Sequence, residues 1–122
     1  MQDMNMLSLL KRRNKRIKPP SSFPIEVQIM GADSLDVLKA SDISTSGVGV
    51  RVPHRFEGCN IHSEVELVIT LPNCRPFLAR GIIRHISSIY RTNDLFGIEF
   101  TYINDANLNH LRTYIDEHNE PH

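Results

Sequence analysis

Two short clusters of residues carry types that could do chemistry together. The first is Arg12-Arg13-Asn14-Lys15-Arg16, with arginines at positions i and i+4. The second is Asp42-Ile43-Ser44-Thr45-Ser46-Gly47. An arginine presents a planar fork of donors that fits phosphate oxygens bidentately. The same fork fits the O6 and N7 acceptors on the edge of guanine. Asp42 offers the opposite, an acceptor for the guanine ring N–H and exocyclic amine, and Ser44 adds a hydroxyl that donates or accepts. Gly47 lets backbone approach a ligand with no side chain between them. An anionic guanine nucleotide is the ligand class that would use all of these at once. Alone, neither cluster is specific. A short basic run is usually a solvated tail or a loose nucleic-acid contact. Asp-x-Ser-x-x-Gly is a common turn, Asp and Ser bonding nearby backbone and Gly supplying positive φ. Their joint occurrence in this order is what carries the argument.

Something must hold the clusters in place, and the charge distribution says how the chain is divided. The net charge is zero over 122 residues, yet residues 1–18 carry six basic side chains and one acid, a net of +5, leaving −5 for residues 19–122. The basic run ends in Lys18-Pro19-Pro20-Ser21-Ser22, which breaks helix and favours extended, mobile chain. The expected division is therefore a flexible basic arm over 1–22 and a domain over 23–122. With 40% hydrophobic and 23% charged residues the composition excludes wholesale disorder.

Period-two alternation predicts strands over Phe23–Met30, near Leu35–Ala40, at Val48–Val52, around Val65–Ile69, over Phe77–Ile86 and around Phe96–Phe100. Ser41–Gly47 is dense in turn formers, Tyr90–Asp94 reads as a loop, and Gly81 reads as a bulge or close-approach point. Leu108, Leu111, Tyr114 and Ile115 then repeat at helical spacing, with Asn104 or Asp105 as cap and core as the destination of their apolar face. The expected fold is mainly all-β: a six-stranded antiparallel β-barrel, or a sandwich on periodicity alone, with a C-terminal α-helix.

At this point the chain resembles a known family, the PilZ domain, a bacterial receptor module for cyclic di-GMP. The resemblance rests on Arg12/Arg16 as its Arg-x-x-x-Arg signature and on Asp42/Ser44/Gly47 as its Asp/Asn-x-Ser-x-x-Gly signature. Gly58, the Ala79–Ile86 strand and Phe96-Gly97-Ile98-Glu99-Phe100 extend it over roughly residues 10–115. It implies a six-stranded barrel with a terminal helix, and cyclic di-GMP as ligand. By that resemblance Arg12 and Arg16 grip phosphate and the Hoogsteen edge of guanine. Asp42 and Ser44 meet its donor edge, and Gly47 permits close contact. Lys11 stands where the family's residue type is linked to binding one or two ligand molecules; Arg13 matches no fixed position. The expected mechanism is an arm, mobile until the ligand neutralises its arginines, that folds onto the barrel and changes the surface offered to a partner. With no second domain expected for output, that partner is a protein of motility, secretion or polysaccharide machinery.

Other classes find less support. Cys59-x-x-His62 with Cys74 and His85 lacks the second paired cluster of a zinc site, and no cofactor is expected. No nucleophile elbow, phosphate-binding loop or paired acidic motif points to an enzyme. A basic arm on a small barrel could track nucleic acid, but the −5 body and the few aromatics (five Phe, three Tyr, no Trp) argue against it. A PilZ-like interaction module that binds no nucleotide is the remaining alternative, against which the intact motifs stand. No apolar run nears the roughly 20 residues of a membrane span, and charge follows rather than precedes Met6–Leu10, so no secretory signal is read and a cytoplasmic protein is expected.

Overall fold

A computed structural model describes residues 16–20, 22–30, 37–53, 60–88 and 93–118. Among these residues six strands and one helix follow in order: β1 Glu26–Met30, β2 Val37–Ile43, β3 Gly47–Pro53, β4 Glu64–Thr70, β5 Phe77–Ser88, β6 Asn93–Tyr102 and α1 Asp105–His118. The strands pair antiparallel in the order β1-β2-β3-β6-β5-β4, and β1 pairs with β4 to close a barrel. Closure leaves no strand edge unpaired.

The alternation seen in sequence is the inside–outside pattern of this barrel. Val27 and Ile29, Val48, Val50 and Val52, and Val65, Leu67 and Ile69 point inward and are buried. Leu111, Tyr114 and Ile115 of α1 add to the same core. Asn104 caps the helix: its Oδ1 accepts from Asn107 N at 2.9 Å. Among the described residues no helix is long and apolar enough to cross a membrane.

The strand limits differ from those read off the sequence, each for a local reason. β1 begins at Glu26 rather than Phe23, because Phe23 N donates to Pro20 O in a turn and Pro24 has no N–H to give a ladder. β2 runs on to Ile43, three residues past Ala40, so the turn shrinks to Ser44–Ser46. It can do so because the register slips between Ala40 and Asp42, a bulge at Ser41. β5 continues to Ser88, and β6 starts at Asn93, inside the expected loop. Gly81 does sit at a register slip, between Arg80 and Gly81.

One residue on the arm side of the compositional boundary is packed with the barrel. Ile17 is 7% exposed and belongs to the core. Its N–H and C=O exchange hydrogen bonds of 3.0 Å each with Ile43. Burying an isoleucine side chain contributes about 1.5–3 kcal/mol, and flanking cations do not remove that gain when they can point to solvent.

Candidate functional site

The bulge in β2 decides where Asp42 points. In an unbroken strand with Ala40 inward, Asp42 would also point inward and Ile43 outward. With Ser41 as the extra residue, Ala40 and Ile43 are both buried, whereas Ser41 and Asp42 lie between them on the outer side. The inward Ile43 then pairs with Ile17, and that pairing holds Arg16 beside Asp42. Arg16 Nη1 donates to Asp42 Oδ1 at 2.6 Å, with side chains 52% and 25% exposed.

The turn after β2 is built from the rest of the second cluster. Ser44 N donates to Gly47 O at 2.9 Å. Ser44 is fully buried, its Oγ accepting from Ser46 N at 3.1 Å and lying 3.0 Å from Ser46 Oγ. Ser46 O in turn accepts from Phe100 N at 2.8 Å, tying the turn to β6. Gly47 has a packing reason for having no side chain: a Cβ there would overlap the Ile98 carbonyl oxygen of β6. Ser44 and Gly47 thus build the local backbone, as such a turn does in any protein, and also bring it to the edge of a groove.

That groove holds about 420 Å³ and is lined by Arg16, Ser44, Ser46, Arg84, His85 and Glu99, with Gly97 and Ile98 between them. Four of the five residues singled out from sequence, Arg16, Asp42, Ser44 and Gly47, are gathered at or beneath this face. Arg12 lies outside the described residues, as do Lys11, Arg13, Gly58 and Cys59. The groove also contains residues that sequence reasoning gave no role: Ser46, Arg84, His85 and Glu99. Arg84 Nε donates to Glu99 Oε1 at 2.7 Å, which makes a second arginine–carboxylate pair on the far wall. Each stands in a stretch marked by sequence, Ser46 in the second cluster, Arg84 and His85 in the Ala79–Ile86 strand and Glu99 in Phe96–Phe100, but none drew a ligand role there.

The floor is backbone. Gly49 of β3 pairs with Gly97 of β6, while Asp42 pairs with Gly49 and His85 with Gly97, so these four residues form a row across four strands. A Cβ on Gly49 would stand 3.0 Å from Asp42 Oδ1, and one on Gly97 would stand 3.1 Å from His85 Cδ2. The two flanking side chains lean over a strip with no side chains of its own. The two glycines thus make room for the Asp42 carboxylate and the His85 ring to lie close against the sheet. Among the described residues no group of three or more His, Cys, Asp or Glu could hold a metal ion.

Residues 10–117 match the family model of the PilZ domain. The chain belongs to the PilZ domain family. No curated protein matches it. Among solved structures, this PilZ domain is similar to the inhibitor of motility MotI/DgrA of Bacillus subtilis, with a TM-score of 0.74 and 18% identity over 87% of this chain and 50% of that one. It is similar to the MrkH–c-di-GMP complex of K. pneumonia, with a TM-score of 0.74 and 10% identity over 87% of this chain and 51% of that one. The PilZ domain of YcgR from Escherichia coli, solved with c-di-GMP, gives a TM-score of 0.70 and 15% identity over 89% of this chain and 92% of that one. The chain thus spans about half the length of the first two. At these identities the likeness is one of fold: the six-stranded closed barrel with its terminal helix is the architecture of PilZ proteins.

Proposed function

We propose that the chain is a receptor for cyclic di-GMP that acts as an adaptor, not an enzyme. The observation that carries this reading is the Arg16–Asp42 pair at the mouth of the groove, where one residue from each family signature meets the other at 2.6 Å. Membership in the PilZ family supports it, as do the c-di-GMP complexes among similar structures. In the bound state Arg16 turns its remaining donors to phosphate or to guanine O6 and N7. Asp42 accepts from the guanine N–H groups, Ser44 and Ser46 offer hydroxyls, and Gly47 keeps the turn backbone close.

Arg12 completes the grip from the chain preceding Arg16, which the ligand orders over the groove. Ordering a backbone residue costs about 1–2 kcal/mol, while a hydrogen bond to a charged group contributes about 1.5–3 kcal/mol. The two are close enough that anchoring matters. Because Ile17 is already fixed to Ile43, Arg16 needs little further ordering, and the cost falls mainly on the residues before it. The reshaped arm is the surface offered to a protein partner in motility, secretion or polysaccharide machinery. That one similar structure is an inhibitor of motility supports the first of these.

Calorimetric titration tests the reading directly. The chain should bind cyclic di-GMP with one saturable transition that persists at moderate salt, and GTP should compete poorly. Binding that collapses with modest salt and ignores the base would point to nonspecific nucleic-acid contact; no binding at all would overturn the receptor reading.

A further inference from the structure

The wall of the groove opposite the two signatures is made by β5 and β6. It is shaped by the same device that aims Asp42. The β5–β6 register slips between Ile83, which pairs with Ile98, and His85, which pairs with Gly97, so Arg84 is the extra residue of a bulge. Ile83 is fully buried, yet Arg84 and His85 are both exposed and both line the groove. Without the bulge, two successive residues would have pointed to opposite faces.

Two like pairs therefore flank the glycine strip. Arg16 with Asp42 stands on the β2 side, and Arg84 with Glu99 on the β5–β6 side. Each pair places an arginine fork next to a carboxylate acceptor, the two groups that guanine's acceptor edge and donor edge require. Glu99 engages only the Nε of Arg84, at 2.7 Å. The terminal nitrogens of that guanidinium, which form its fork, carry no partner among the described residues. β2 and β6 are two strands apart, a backbone separation of about 10 Å. A guanine has a single donor edge, which one carboxylate occupies, so a single base does not satisfy both carboxylates.

We propose that Arg84 and Glu99 are a second guanine-reading pair. Cyclic di-GMP has two identical bases, and the groove then meets each with an arginine and a carboxylate, one base on either side of the Gly49–Gly97 strip. This rests on the receptor reading above and adds to it a source of selectivity for two guanines over one. An exposed ion pair on a sheet is by default a weak surface contact. Its free fork and its place in the shared groove set this one apart.

The experiment compares cyclic di-GMP with the mixed cyclic dinucleotide of the same linkage in which one guanine is replaced by adenine. Both are titrated into the full chain and into Glu99→Ala, Arg84→Lys and Arg84→Ala. The wild type should prefer the two-guanine ligand by about tenfold or more. Each variant should lose most of that preference by weakening for cyclic di-GMP while changing little for the mixed ligand, and should keep the wild-type melting midpoint. Arg84→Lys is the diagnostic substitution, since lysine keeps the charge and loses the bidentate fork. If it behaves as wild type while Arg84→Ala is weakened for both ligands, Arg84 is a phosphate contact and the guanine assignment is overturned. If all three variants match wild type, the pair is outside the site, and the receptor reading stands alone. A wild type that binds neither ligand removes both.

Discussion

Arg16 Nη1 lies 2.6 Å from Asp42 Oδ1, an ion pair that joins residues 26 apart in sequence and belongs to both signatures at once. Half of Arg16 is in solvent, so the pair adds little to folding; exposed pairs contribute about 0.2–1 kcal/mol. Its value is geometric. It sets the guanidinium at the lip of the groove, and it gives the carboxylate a neighbour that keeps it aligned.

Removing either member should therefore separate binding from stability. Arg16→Ala and Asp42→Asn are expected to melt within about 1 kcal/mol of wild type. The loss of charge-assisted bonds should weaken cyclic di-GMP about 30-fold or more for Arg16→Ala. Calorimetry and thermal melts on the same preparations check both halves, and unchanged affinity in Arg16→Ala would remove the central contact.

Ile17 lines no part of the groove, yet it should affect binding. Ile17→Ala opens the core and is expected to cost about 2–4 kcal/mol in urea unfolding. Because Ile17 carries the pairing with Ile43 that positions Arg16, ligand affinity should also fall. Ile17→Val, at about 0.5–1.5 kcal/mol, should fold well and bind nearly as wild type.

Gly47→Ala should be destabilising whatever the ligand does. The added methyl meets the Ile98 carbonyl oxygen, which is backbone and cannot swing aside. A forced separation of β3 from β6 is expected to cost about 1–3 kcal/mol, read as a lower denaturation midpoint. Ser44→Ala should cost about 1 kcal/mol, since Ser46 N then loses the hydroxyl that accepts from it.

Tyr114 gives a prediction of the opposite sign. Its hydroxyl is buried without a hydrogen-bond partner among the described groups. Burial first, and the nearby Cys74 thiol second, raise its ionisation above the ordinary 10.0. The folded state thus favours the neutral phenol: its contribution is complete below about pH 10 and is lost as pH rises through the folded-state value. Tyr114→Phe should flatten this alkaline loss relative to wild type. It should also relieve an unpaired polar group, raising the midpoint at neutral pH by roughly 3–6 °C for about 1 kcal/mol. Melts from pH 7 to 11 measure both effects.

The residues show why part of this was legible and part was not. Alternation of valine, isoleucine and leucine with charged residues reports burial directly, so six strands and a closing helix could be read from it. A bulge is different: it exists only in the register between two strands. Nothing local distinguishes Ser41 or Arg84 from neighbours that keep the pleat regular. Arg84, His85 and Glu99 drew no ligand role for that reason, since their common face depends on a slip of β5 against β6. Ile17 escaped because its neighbours are Arg16 and Lys18, and only Ile43, far along the chain, reveals that it has somewhere apolar to go. The second signature was read as ligand chemistry, and Ser44 proves also to be the brace of a tight turn.

The two bulges have a consequence for how this surface could be gained or lost. Each works as one residue of slack in the pleat. Deleting Ser41 would contact no ligand and alter no signature residue. Because Ser41 is the extra residue, the shortened strand would run as a regular pleat with Ala40 inward, Asp42 outward and Ile43 inward, and the Ile17 anchor would stay in place. This stretch of β2 should therefore tolerate the loss of one serine, since the outward face of Asp42 depends on Ala40 and Ile43 staying inside and not on the bulge itself.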